Sequence, residues 1–153
     1  LAGDGPFLEA RKKQASELGL DDVIIFAGFR KDIKNLYYGS DLYINSSAHE
    51  ALSFLIIESL ASGLPVIATD MGGNSDIINK ETNCGILVQY NDAKELAEAA
   101  YMVMNDSEMQ KTLRRNALKT VREKFNLESI VEQTYNLYVD SCNKNSNLKG
   151  IQL

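Results

Sequence analysis

The stretch that decides the fold is residues 45–69, which reads NSSAHEALSFLIIESLASGLPVIAT. It opens at the end of one predicted strand, residues 41–45, and continues into a predicted helix over residues 53–62. A glycine and a proline then end the helix, and a second β-rich run follows at residues 65–69. Short apolar strands separated by helices predict a parallel sheet with helices packed on both faces.

The same alternation extends in both directions from this stretch. Upstream, Gly3-Asp4-Gly5-Pro6 is typical of a strand-to-helix turn, and residues 23–26 form a further β-rich run. Downstream, the turn at Gly72-Gly73 leads into a short helix over residues 71–79. The other predicted elements are a short helix at 32–38, a strand at 86–88 and three consecutive C-terminal helices.

The three C-terminal helices are predicted from caps and apolar spacing. Asp92 can cap the first, and Ser107-Glu108-Met109-Gln110 reads as a capping box for the second. Residues expected to face inward along the third are Leu127, Val131, Thr134 and Tyr138, and the aromatic residues Tyr101, Phe125, Tyr135 and Tyr138 are expected to be core or a covering helix.

These elements together predict an α/β domain with a Rossmann-like parallel sheet over residues 1–140, followed by a polar tail at 141–153. Only two residues precede the first turn, so we expect the chain to begin inside a β-strand of a longer protein. Ligands of such sheets lie outside the carboxyl ends of the strands. The loop after Asn45 is one such position.

Composition excludes several classes of protein. The 153 residues carry 16 Lys and Arg against 21 Asp and Glu, a net charge of −5, which disfavours a nucleic-acid partner. No apolar run approaches the ~20 residues of a membrane span. No signal peptide is recognised, and two cysteines far apart in sequence predict reduced thiols and a cytoplasmic location. One histidine and two cysteines make a zinc site implausible.

Two carboxylates stand out in the deciding stretch. Glu58 lies within a helix that is apolar nearly all round, so it is expected to be buried and to need hydrogen-bond donors. A vicinal diol such as a ribose supplies two. Glu50 follows the strand directly, and the start of the next helix offers free N–H groups suited to a diphosphate. The single histidine, His49, is expected to have no chemical role.

Glu50 and Glu58 form an E-x7-E pair, and their surroundings resemble the retaining glycosyltransferases called group 1, or family 4. The resemblance is to the C-terminal, nucleotide-sugar-binding domain of the two-domain GT-B architecture. It runs from about Leu1 to about Tyr138 and is strong because the acidic pair stands in register with Gly-x-Pro-Val, Gly-Gly and Gly-x-Leu-Val.

The resemblance implies a role for each matching residue. Glu50 is expected to contact hydroxyls of the donor sugar near the developing charge, and Glu58 to hold the ribose. The backbone of Leu52, Ser53 and Phe54 is expected to meet the sugar and the diphosphate. Phe29 and Arg30, in the loop after Gly28, are expected to flank the base. No metal and no other cofactor is expected, in keeping with the missing D-x-D motif.

Some of the family pattern is different or missing here. Many members read Glu-Gly-Phe-Gly where this chain has Glu50-Ala51-Leu52-Ser53. The paired Arg and Lys that neutralise the diphosphate lie upstream of the Gly-x-Gly-Pro turn, so this chain alone is not expected to catalyse transfer. The missing N-terminal domain is expected to bind a sugar or lipid-linked acceptor. The resemblance further implies bacterial polysaccharide or glycolipid synthesis in the cytoplasm, with peripheral contact at the inner membrane face.

Other readings stay open. Within the GT-B architecture they are a nucleotide-sugar epimerase, a glucan synthase or a phosphorylase, although no lysine here suggests pyridoxal phosphate. Outside it, a flavodoxin-like receiver or non-catalytic nucleotide-binding module is disfavoured, because Asp21-Asp22 precede a strand rather than follow one.

Overall fold

A computed structural model of the protein describes the backbone of residues 1–148 and the side chains of residues 1–143. The chain divides into two compact units, Leu1–Gly39 and Ser40–Leu153, each of which has its own internal contacts.

The first unit contains two helices, α1 (Leu8–Glu17) and α2 (Ile33–Tyr38). The predicted turn at Gly3–Pro6 does precede α1, and Gly19 follows it with φ +67°, a left-handed conformation that favours glycine. A parallel bridge joins Ala2 to Gly28, supported by a 2.8 Å hydrogen bond from the Gly3 amide to the Gly28 carbonyl.

The strand predicted at residues 23–26 does not form. The amides of Val23 and Ile24 both donate to the Leu20 carbonyl, so the segment begins as a turn rather than as extended backbone. Val23 and Ile25 are 75% and 78% exposed, so these β-branched residues pack against no neighbouring layer. The prediction was wrong because β-branched residues favour a strand only where neighbouring strands and side chains are there to pack against.

The second unit is built on a parallel sheet of three strands, β1 (Tyr43–Asn45), β2 (Val66–Thr69) and β3 (Gly85–Val88), in the order β1-β2-β3. Tyr43 pairs with Val66, and Val66 pairs with Gly85. The carboxyl ends of all three strands therefore open at the same edge.

The helices of this unit follow the predicted order. They are α3 (Phe54–Ala61), α4 (Asn74–Ile77), α5 (Ala93–Asn105), α6 (Ser107–Lys124) and α7 (Leu127–Leu148). Asp92 caps α5 as predicted, since its side chain accepts from the Glu95 amide. The cap of α6 is Asp106 instead of the predicted Ser107, because the Asp106 carboxylate accepts from the amides of Glu108 and Met109.

Buried residues alternate along β2 between two apolar clusters. Val66 and Ala68 pack with Ile56 and Leu60 of α3. Ile67 packs with Ala99 and Val103 of α5 in a second cluster. Successive side chains of a strand point to opposite faces, so α3 and α5 cover opposite faces of the sheet. The predicted class, an α/β Rossmann-like parallel sheet with helices on both faces, is confirmed.

The final helix differs most from expectation. Its predicted inward residues are exposed, with Leu127 at 74%, Val131 at 58% and Tyr138 at 69%, so α7 does not use them to cover the described core. The aromatic residues Tyr101 and Tyr135 are exposed as well, and only Phe125 of the predicted aromatic set packs against a core cluster. Residue 140, the predicted domain boundary, lies inside α7, which continues to Leu148.

Candidate functional site

The candidate site is the loop of residues 46–53 together with the first turn of α3. The loop follows the carboxyl end of β1, and Ser53 at its end is the N-cap residue of α3, with extended backbone at φ −80°, ψ 103°. Ser53 is buried, whereas Leu52 is 41% and Phe54 72% exposed. The free N–H groups of a helix start attract anions, and this start borders solvent.

Asn45, the last residue of β1, holds both ends of this loop. Its side-chain Oδ1 accepts from the Ser47 amide at 3.0 Å, and its Nδ2 donates to Ser53 Oγ at 3.3 Å. The Ser53 hydroxyl lies 3.4 Å from Glu50 Oε1, to which it donates. Asn45 is only 5% exposed, so these bonds are sheltered from water.

A second set of contacts ties the loop to the end of β2. The Thr69 hydroxyl donates to the Ser47 carbonyl at 2.6 Å, and the Gly73 amide lies 3.4 Å from the Glu50 carbonyl, to which it donates. A Cβ at Gly72 would overlap the Glu50 carbonyl oxygen, and one at Gly73 would overlap that of Ala51. The Gly-Gly turn thus lets two backbone segments lie in direct contact.

The Tyr43 hydroxyl lies within the electrostatic influence of both predicted carboxylates, Glu50 and Glu58. Burial raises the pKa of the Tyr43 hydroxyl, a contact with the Asn45 side chain opposes the rise, and the negative charges of Glu50 and Glu58 add to it. Both carboxylates are therefore close enough to act on one phenol. The structure brings Glu50, Glu58 and the start of α3 to one region of the second unit.

Glu58 is exposed, so the prediction that this carboxylate is buried was wrong. Its side chain lies on the exposed face of α3 with Phe54 and Leu55, which are 72% and 48% exposed. The helix buries only the opposite face, through Ile56, Ser59 and Leu60, against the sheet and α6. Because the side chain is exposed, the predicted need of a buried carboxylate for hydrogen-bond donors does not apply to Glu58.

Phe29 and Arg30 belong to the first unit. Phe29 is 67% exposed. The Arg30 guanidinium makes a two-pronged pair with Asp32, at 2.7 Å from Nε and 2.6 Å from Nη2, and this pair lowers the pKa of the Asp32 carboxyl. The Arg30 side chain is thus engaged locally with Asp32.

A second concave feature lies at the same sheet edge. A cleft of about 320 Å³ opens beyond β3. Its lining comes from Ser46, Thr69, residues 89–93 and Leu96. It shares Ser46 with the candidate-site loop, but most of its lining follows β3, so it provides an alternative place for a ligand.

Neither a metal cluster nor a membrane-spanning helix is found in the part of the chain that the structure describes. Among residues 1–148, no cluster of three or more His, Cys, Asp or Glu side chains is arranged to hold a metal ion. Within the same range, no helix combines the length and the apolar character needed to cross a membrane. His49 is exposed in the loop beside Glu50.

The sheet and this edge define a class: a Rossmann-like α/β domain whose ligand edge carries an acidic loop and a helix start. The sequence profile described as "Glycosyl transferases group 1" matches residues 1–120. The chain belongs to that family.

Curated relatives carry more specific names. The chain is 29% identical over 149 residues to the N-acetyl-alpha-D-glucosaminyl L-malate synthase of Bacillus anthracis, covering 97% of this chain and 39% of that protein. It is 26% identical over 141 residues to an Escherichia coli UDP-Gal:alpha-D-GlcNAc-diphosphoundecaprenol alpha-1,3-galactosyltransferase, covering 92% and 36%. The chain thus spans well under half the length of these relatives.

Solved structures show the same fold. Anabaena Alr3699/HepE in complex with UDP superposes with a TM-score of 0.86 at 27% identity, over 92% of this chain and 40% of that one. The same protein has also been solved in complex with UDP-glucose, with a TM-score of 0.84.

Sequence reasoning missed the residues that hold the site together. Asn45 and Thr69 were predicted only as parts of strands. A polar residue at the end of a buried strand, directly before a functional loop, was the available signal for Asn45 and for Thr69.

Proposed function

We propose that this chain is the donor-binding domain of a glycosyltransferase, which moves a sugar from a nucleotide-diphosphate sugar to an acceptor with retention of configuration. One observation carries the proposal: Glu50 contacts the N-cap residue of α3 and Glu58 lies on the exposed face of the same helix, at the carboxyl edge of a Rossmann-like sheet. The family membership and the UDP-bound HepE structures support it.

In the proposed complex the leaving diphosphate lies against the amides of Leu52, Ser53 and Phe54. These groups sit at the positive end of the α3 dipole, which stabilises the negative charge that develops as the glycosidic bond breaks. Glu50 contacts hydroxyls of the donor sugar and lies near the developing positive charge. Glu58 accepts hydrogen bonds from the ribose hydroxyls, and its exposure leaves it accessible to them.

The remaining parts of the proposal concern the whole protein. The acceptor, a sugar or a lipid-linked glycan, is bound by a second domain, and the product belongs to bacterial polysaccharide or glycolipid synthesis in the cytoplasm at the membrane face. Phe29 and the Arg30 backbone flank the base. No metal takes part. The similarity to the Escherichia coli UDP-Gal:alpha-D-GlcNAc-diphosphoundecaprenol alpha-1,3-galactosyltransferase supports a lipid-linked acceptor.

Substitution of Glu58 tests the nucleotide site. In the complete protein, Glu58→Ala and Glu58→Gln are expected to weaken nucleotide affinity about 10- to 100-fold, the usual effect of removing a charged hydrogen-bond acceptor. Calorimetric titration with UDP, GDP and ADP measures this effect and identifies the base.

Glu98→Ala is the matched control, since Glu98 is an exposed glutamate on α5 whose ion pair is with Lys94. It should bind nucleotide as the unaltered protein does. Equal affinities for the Glu58 variants and the control would contradict the ribose role of Glu58.

A further inference from the structure

The Ser53 hydroxyl contacts the side chains of both Asn45 and Glu50. Ser53 is buried, at 2% exposure, at the N-cap of α3. A buried hydroxyl needs hydrogen-bond partners, and Ser53 Oγ has two, Asn45 Nδ2 and Glu50 Oε1. The contact is therefore a side-chain bridge that a glycine could not make.

The direction of these hydrogen bonds is fixed by chemistry. An amide nitrogen can only donate, so Asn45 Nδ2 donates to Ser53 Oγ. A carboxylate can only accept, so the single hydroxyl proton of Ser53 points to Glu50 Oε1. The other amide atom, Asn45 Oδ1, is engaged by the Ser47 amide, which fixes the orientation of the Asn45 side chain.

We propose that Asn45 and Ser53 are positioning residues that orient the Glu50 carboxylate through the relay Asn45 Nδ2 to Ser53 Oγ to Glu50 Oε1. The significance for sugar transfer rests on the proposed function, in which Glu50 meets the donor sugar. The relay itself does not depend on that function. The relay engages Glu50 Oε1 and leaves Glu50 Oε2 outside the bridge.

The Glu50 backbone is restrained independently of the relay. Its carbonyl accepts from the Gly73 amide at 3.4 Å, and the Thr69 hydroxyl holds the loop at Ser47. A change in Ser53 should thus alter the Glu50 side chain while the loop backbone stays in place near Gly73. A change in Asn45 also removes the hydrogen bond from the Ser47 amide, so the Gly73 and Thr69 contacts alone then hold the loop.

The test is carbon-detected NMR of the complete protein with 13C-labelled glutamate, recorded without any donor. The Glu50 carboxyl resonance is assigned by its loss in Glu50→Gln. We expect Ser53→Ala and Asn45→Ala each to shift this resonance in the same direction, and the double variant to shift it no further than Ser53→Ala does. Ser53→Thr, which keeps the hydroxyl, should restore the original position.

Asn105→Ala is the matched control, an exposed asparagine on α5 whose Nδ2 donates to the Tyr101 carbonyl. It should leave Glu50 unchanged. An unshifted Glu50 resonance in Asn45→Ala overturns the relay, and so do additive shifts in the double variant or shifts spread over many glutamates. Where Asn45→Ala fails to fold, Asn45→Ser replaces it. Ser53→Ala and Ser53→Thr then test the hydrogen bond from Ser53 to Glu50.

Kinetics supply the functional readout. With UDP-glucose or whichever donor the protein uses, Ser53→Ala is expected to lower kcat about tenfold and to change the donor KM less than threefold, because the relay orients a group that acts on the reacting sugar. If Ser53→Ala shifts the Glu50 resonance as expected but leaves kcat unchanged, the relay exists but does not contribute to catalysis. Failure of the proposed function alone would leave the NMR result unaffected.

Discussion

Gly73 is a residue whose identity is dictated by sterics alone. Its φ of −79° is open to any amino acid, but a Cβ there would overlap the Ala51 carbonyl oxygen. Gly73→Ala is expected to push the Glu50–Ala51 backbone away and to destabilise the protein by about 1–3 kcal/mol, the usual cost of overpacking. Urea unfolding measures the stability, and nucleotide titration measures the accompanying loss of affinity.

Gly5→Ala is the control for that substitution, because a Cβ at Gly5 meets no atom within 4 Å. It should change the free energy of unfolding by less than about 0.5 kcal/mol. A Gly73→Ala protein as stable and as active as Gly5→Ala would show that the two loops are not in contact.

Cys84 gives a pH-dependent contribution to stability. Burial raises the pKa of its thiol above the unfolded value of about 8.5, against smaller opposing effects of Thr82 and Thr120. The stabilisation is complete below about pH 8.5 and is lost as the pH rises through the folded pKa, since the unfolded thiol ionises first. The free energy of unfolding, measured from pH 7 to 10, should therefore fall less steeply with pH in Cys84→Ala than in the unaltered protein. An unchanged slope would contradict this assignment, and Cys142→Ala, at an exposed position, is the control.

At the residue scale the sequence predicts which residues form the candidate site, but not the contacts that hold them in place. The positions of Glu50, Ser53 and Glu58 follow from one motif and its spacing. Their environments do not, as the exposure of Glu58 shows, because a helix that is apolar all round can still be covered on one face only. Asn45 and Thr69 act through contacts 8 and 22 residues away in sequence, which periodicity cannot reveal.

At the scale of elements, the start of α6 offers a direct test of capping. The Asp106 carboxylate accepts from two amides of the first turn, whereas the predicted cap, Ser107, is already the first helical residue. Asp106→Ala is expected to cost about 1 kcal/mol of stability, and Ser107→Ala only a few tenths. Thermal unfolding of the two variants compares them, and an equal loss would mean that the cap is shared.

The helices and strands differ in how well sequence predicts them. Helices such as α5 and α6 carry their own caps and apolar spacing, so their existence is local information. A strand needs a partner, and the run at residues 23–26 finds only the short contact around Ala2 and Gly28. The strands β2 and β3 contribute residues to both apolar clusters, on the two faces of the sheet, and β1 pairs along β2.

At the scale of the whole molecule, the family and fold class could be predicted because the motif blocks are spread over most of the chain. The position of α7 could not. Its apolar residues are spaced as a core-facing stripe would be, yet Leu127, Val131 and Tyr138 are exposed. Helical periodicity identifies the apolar face of a helix, but packing decides what covers that face.

The central claim is that the start of α3, between Glu50 and Glu58, binds the nucleotide-diphosphate sugar. Amide NMR of the complete, 15N-labelled protein titrated in turn with UDP, GDP and ADP tests it most directly. The account predicts that one nucleotide shifts the amide resonances of Leu52, Ser53 and Phe54 first and most strongly, and that Glu58→Ala weakens the response. Unchanged resonances at these residues with all three nucleotides, or shifts concentrated in the cleft at residues 89–96, would contradict it.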